Sequence, residues 1–134
     1  MKYNMVFSIT LCTALIFAAC SDNIVTTGLS GDLEGTWVFK SYENENYSLK
    51  RSFSLAADKA GIIFFRDGKL IERKNIGWCG TPPVVYDNYT GNWYTESDNK
   101  LKINVGFWGG TETYKLEIVL LSESDLVFKK SYLN

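Results

Sequence analysis

Three cysteines and no histidine among 134 residues decide most of the chemistry open to this chain. Without histidine there is no His-based triad or dyad and no imidazole cage for a metal. Cys79 is a candidate nucleophile, but a reactive thiolate needs a cation or base beside it, and only Arg73 and Lys74 stand near it in sequence. A small buried thiol within Trp78-Cys79-Gly80 accounts for it more simply. The 15 Asp and Glu would in principle allow a paired-acid hydrolase, yet no two of them fall in a recognisable frame. Gly-rich phosphate loops, Cys-x-x-Cys pairs and calcium-loop spacings do not occur. The expectation is a protein without catalysis, cofactor or metal. With 14 Lys and Arg against those 15 acids, a nucleic-acid partner has no electrostatic basis.

The residues left to carry a function are aromatic. Trp78, Tyr86, Tyr89 and Trp108 supply large contact areas with polar tips, suited to a flat, sugar-like, apolar or amphipathic ligand. Arg73 precedes this tract and offers a partner for a ligand carboxylate. For Trp37, Trp93 and Trp108 the favoured reading is core plugs, because small barrels are filled by their own side chains. The Lys129-Lys130 pair reads as a solvated edge.

The N-terminus reads as an address. Lys2 is followed by an uncharged, mostly apolar run from Met5 to Ala19. That run is shorter than the roughly 20 residues a membrane-spanning helix needs, and it suits a secretory signal. Phe17-Ala18-Ala19-Cys20 resembles a bacterial lipobox, which implies cleavage before Cys20 and acylation of its thiol; the alternative is an ordinary signal peptide followed by a coincidental cysteine. Two or three acyl chains anchor a protein stably. Ser21-Asp22-Asn23 resembles the tether that sends some lipoproteins to the cell surface, while an acidic residue two after the cysteine also marks inner-membrane retention in other lineages; the expected location is the outer membrane of the cell envelope, in either leaflet. Cys12 leaves with the signal and Cys20 is acylated, so Cys79 has no disulfide partner.

The elements that must position these residues are strands. Residues 1–19 are the signal, 20–32 a flexible tether and 33–134 a single domain. Trp37 and Phe39 alternate with Val38 and Lys40 in a first strand, and Asn44, Asn46 and Ser48 mark a loop. Residues 49–60 fit either an irregular strand or a helical turn. Asp67-Gly68 turns a hairpin. Gly91 to Glu96 reads as a strand, and Leu101, Ile103, Val105 and Phe107 alternate strictly with polar neighbours or glycine. Tyr114, Leu116, Ile118 and Leu120 repeat that pattern, and Leu126 and Phe128 end it. Seven or eight short antiparallel strands, each with one apolar face, predict an all-β, up-and-down barrel closed on itself.

Gly35-Thr36-Trp37 resembles the Gly-x-Trp signature of lipocalins and their small bacterial relatives. The tract from Glu72 to Pro83, with Tyr86, Gly91-x-Trp93 and Phe107-Trp108-Gly109-Gly110, is similar to a group of small lipocalin-like lipoproteins. The resemblance implies that Trp37 closes one end of the barrel beneath a basic residue, a role open to Arg73 or Lys74. It also implies non-catalytic binding of a small ligand near Trp78, Tyr89 and Trp108. The alternative is a protein-interaction module, an inhibitor or accessory subunit, with a filled core.

Overall fold

A computed structural model describes residues 33–77 and 82–133, so Cys20, Trp78 and Cys79 lie outside the described residues. Eight strands form the fold: β1 Gly35–Glu43, β2 Asn46–Ser52, β3 Gly61–Phe64, β4 Lys69–Asn75, β5 Tyr86–Ser97, β6 Lys100–Phe107, β7 Gly110–Leu121 and β8 Asp125–Tyr132. All neighbours pair antiparallel, and the ring closes in the order β1-β2-β8-β7-β6-β5-β4-β3. The expected closed all-β barrel is therefore present, and closure leaves no long bare edge to recruit another chain.

The strand faces follow from alternation. Leu101, Ile103 and Val105 are buried in β6 while Lys102 and Asn104 are not. Tyr114, Leu116 and Ile118 do the same in β7. Turns are set by local chemistry. Asn44 and Glu45 both adopt positive φ, the two-residue turn whose twist matches a hairpin. Asp67 accepts a hydrogen bond from the Lys69 amide at 3.0 Å beside Gly68, whose φ is also positive.

Three expectations need correction. Asn46 and Ser48 are not in a loop: they belong to β2, which pairs with both β1 and β8. Its inward positions are Tyr47, Leu49 and Arg51, set among Asn, Ser and Lys, so no apolar alternation announced it. β5 begins at Tyr86, five residues before the expected Gly91. The up-and-down path holds from β3 to β8, but β2 and β3 flank β1 instead of pairing with each other. Residues 53–60 make that step across β1. Gly61 receives them, because a Cβ there would lie 2.6 Å from the Trp37 carbonyl and 2.8 Å from the Leu55 side chain.

One end of the barrel is sealed by Trp37, which is fully buried. Its indole N–H donates to the Leu33 carbonyl at 2.8 Å, and the Arg51 guanidinium lies 4.2 Å above its ring. Arg51 in turn donates from Nη1 to the Glu34 carbonyl and from Nε to the Glu123 carbonyl, both at 2.6 Å. The basic residue over the tryptophan is thus neither Arg73 nor Lys74. The β1–β2 register places Arg51 opposite Trp37, whereas Arg73 is two strands away on β4. Gly35 is required for the same reason: its φ is +116°, and a Cβ would sit 2.7 Å from Arg51 Nη1. Gly35→Ala should therefore destabilise the fold by about 1–3 kcal/mol. The expected signature is a lower urea midpoint with an unchanged slope.

Candidate functional site

Strand direction fixes what lies at the opposite end. β1, β4, β6 and β8 run away from the Trp37 seal, and β2, β3, β5 and β7 run back toward it. The far end therefore gathers the Asn44-Glu45 turn, the β4–β5 connection, the Trp108-Gly109 turn and the end of β8. Near the seal the inward positions are apolar: Phe64, Leu70, Leu101 and Leu126 are all buried. Farther from the seal the inward positions of β4, β7 and β8 become polar. β4 passes from Leu70 to Glu72 and Lys74, β7 from Leu116 to Tyr114 and Glu112, and β8 from Phe128 to Lys130 and Tyr132.

These side chains meet. The Tyr114 hydroxyl donates to Glu72 at 2.8 Å. Lys74 Nζ lies 3.2 Å from Glu72, donates to the Gly106 carbonyl at 3.3 Å and pairs with Glu112. Lys130 Nζ lies 3.6 Å from the other Glu72 oxygen and 3.6 Å above the Tyr114 ring, with the Tyr132 ring at 4.9 Å. Glu72 and Lys130 side chains are only 11% and 12% exposed. Burial pushes the Tyr114 phenol well above its ordinary range, and the charge of Glu72 and its hydrogen bond add to the rise. The Tyr47 phenol is raised too, first by burial and then by the nearby Tyr132 and Tyr42. Tyr42 and Tyr47 rings sit 4.6 Å apart, and Tyr47 stacks on Phe128 at 5.6 Å.

Two Lys and two Glu cancel in charge. A buried ion cluster of this kind is rarely more stable than well-packed apolar side chains, which is what the same barrel uses at its other end. Its presence marks this end as the candidate binding site.

The sequence-derived candidates divide. Tyr89 is half-buried opposite Glu72 and borders the cluster, 5.9 Å from Lys74 Nζ. Tyr86 is half-buried where β5 begins at the same end. Trp108 is 72% exposed at the β6–β7 tip, edge-on to Phe107 at 6.0 Å, so it is not a core plug. Trp93 is one, set edge-on to Phe64 at 5.8 Å, with its indole N–H donating to the Phe65 carbonyl. Arg73 does not enter the barrel. Its alternation with Glu72 puts it on the outer wall, where it donates to Asn88 at 3.0 Å and to the Ala57 carbonyl at 3.1 Å, pinning the segment that crosses β1. Lys130 is no solvated edge, since it shares the inward parity of Phe128. Sequence reasoning missed Glu72, Glu112, Tyr114 and Lys130 as a site, and considered Lys74 in other roles. The signal was there in parity: each lies two or four residues from a core position on the same face. A shallow outer depression between Phe65, Ile71 and Thr90 contains no such cluster.

A model of the lipocalin-like domain matches residues 33–128, most of the chain. No curated protein and no solved structure matches it.

The Tyr114 geometry gives a pH test. A raised phenol pKa contributes stability that is complete below about pH 10 and is lost as pH rises through the folded value. Urea midpoints should fall above about pH 10 in the parent chain. In Tyr114→Phe that alkaline fall should flatten, while stability at pH 7 drops by about 1–3 kcal/mol for the lost bond to Glu72.

Proposed function

The chain belongs to the lipocalin-like domain family, and from that membership and its polar-lined far end we propose a lipid-anchored cell-envelope protein that binds a small amphipathic ligand without catalysis. The observation that carries the reading is the change of lining within one barrel. Ile103, Leu116 and Phe128 line the middle with buried apolar side chains. The far end instead combines ionised groups with Tyr42, Tyr47, Tyr89 and Tyr132, a few convergent polar groups among aromatic walls. The anchoring proposal rests on Phe17-Ala18-Ala19-Cys20, and the cell-surface proposal on Ser21-Asp22-Asn23. Leu33 leaves the barrel at the Trp37 seal, so a tether from Cys20 would hold the candidate site on the side away from the membrane.

A second reading, docking of a protein partner, draws on exposed Trp108, Val84 and Val85 at the same end. Native mass spectrometry of the full chain extracted from envelopes separates the two. A small-molecule adduct is expected, and a polypeptide free of adduct would turn the assignment toward the protein partner. Cys20→Ser should abolish incorporation of labelled fatty acid and release the protein from the membrane fraction. Labelling that persists in this variant would overturn the anchor.

A further inference from the structure

Donor accounting singles out Lys130. The three N–H donors of Lys74 are matched by Glu72, Glu112 and the Gly106 carbonyl. Lys130 has the same three donors, but its nearest carboxylate oxygen is 3.6 Å away, beyond hydrogen-bond length. The rings of Tyr114 and Tyr132 hold its charge without accepting its hydrogens in the ordinary way. Beside it stands Tyr132, and Tyr47, paired with and stacked on Phe128 two residues earlier on the same face of β8, follows with Tyr42 against its ring; the hydroxyls of all three have no hydrogen-bond partner among the described residues. They are close enough that Tyr132 and Tyr42 raise the Tyr47 phenol. Both carboxylates of the cluster are already engaged by lysines, so what remains unpaired is a set of donors around one ammonium.

We propose that the ligand is an anionic amphiphile that binds head first, its oxyanion received by the Lys130 ammonium and the hydroxyls of Tyr47 and Tyr132, its apolar body left at the rim beside Tyr42. This rests on the ligand-binding reading above and gives it a chemical class and an orientation. Entry of an apolar end first would lay methylenes on four ionised groups and strip them of compensation. A cationic head would meet Lys130 with no carboxylate left to receive it. An oxyanion completes the donors already in place, with charge-assisted bonds. Tyr42 and Tyr132 are 54% and 59% exposed, which leaves aromatic surface at the rim for the apolar body.

Fluorescence titration of the full chain with four matched probes tests this: 2-naphthoate, 2-naphthyl phosphate, 2-naphthylmethanol and 2-naphthylmethylammonium. At least one anion should bind about tenfold or more tighter than the alcohol, and the ammonium should bind weakest. The stronger of the two anions distinguishes a carboxylate from a phosphate ester. Lys130→Met should erase the preference for the anion and Lys130→Arg should keep it. Tyr132→Phe, at an exposed position where folding is not at stake, should weaken the anion about threefold and leave the alcohol unchanged. Equal binding of anion and alcohol, or a preference that survives both Lys130→Met and Tyr132→Phe, overturns the head-first orientation while leaving ligand binding intact. Failure of all four probes in a chain that also carries no native adduct overturns the ligand-binding reading and this proposal together.

Discussion

The stacking of Arg51 on Trp37 is the contact on which the rest of the architecture depends. It exists because β1 and β2 pair in the one register that sets the two residues opposite each other. Once there, the guanidinium reaches the Glu34 carbonyl before β1 and the Glu123 carbonyl in the β7–β8 turn, while the Arg51 amide donates to the Ser124 carbonyl. Glu34 then receives Arg66 from the β3–β4 turn, although that pair is exposed and adds little by itself. A single side chain thus gathers the start of the barrel and its last hairpin over one indole. A one-residue slip of β2 would turn Arg51 and Leu49 to the outer face together, so the seal and the core select the same register.

Sealing one end decides what the other must be. An eight-stranded barrel has room inside for its own side chains or for one small ligand, and near Trp37 it is lined by Phe64, Leu70, Leu101 and Leu126, with no polar atom to satisfy. Moving away from the seal, β4, β7 and β8 exchange their inward apolar residues for charged or phenolic ones, while β6 stays apolar through Val105. The exchange is coordinated across strands: Glu72 on β4, Tyr114 on β7 and Lys130 on β8 become polar together, with Tyr114 donating to Glu72 and the Lys130 charge 3.6 Å from it. Had only one strand changed, its group would be a buried charge without a partner, at a cost of several kcal/mol. The cluster is therefore a joint property of three strands.

That joint property explains why the fold was more legible than the site. Alternation along β6 and β7, the Asp67-Gly68 turn and Gly35-Thr36-Trp37 all speak through local patterns, and each led to the right element. β2 was obscured because most of its residues face outward and are polar. The step across β1 was hidden because nothing in residues 53–60 states which strand they must pass. At the site, Arg73 and Lys74 looked interchangeable as neighbours in sequence, yet the period of two sends one to the Asn88 side chain on the outer wall and the other into the ion cluster. Lys129 and Lys130 divide the same way. Trp108 could be read as core or rim because a turn has no fixed parity, and the hairpin tip places it outside.

The separation of seal and cluster has a further physical consequence under the lipid-anchored reading. Leu33, the first described residue, lies against Trp37, so an anchor joined through it would have the whole length of the barrel between itself and the polar end. The far end then samples the aqueous side, where a charged head group is already solvated and needs no extraction from lipid. Under the head-first proposal, its capture would bring oxyanion contacts to Lys130 and the phenols in exchange for solvation. The energetic cost of holding four ionised groups inside the barrel is met by the folded core at the opposite end, sealed by Trp37 and Arg51.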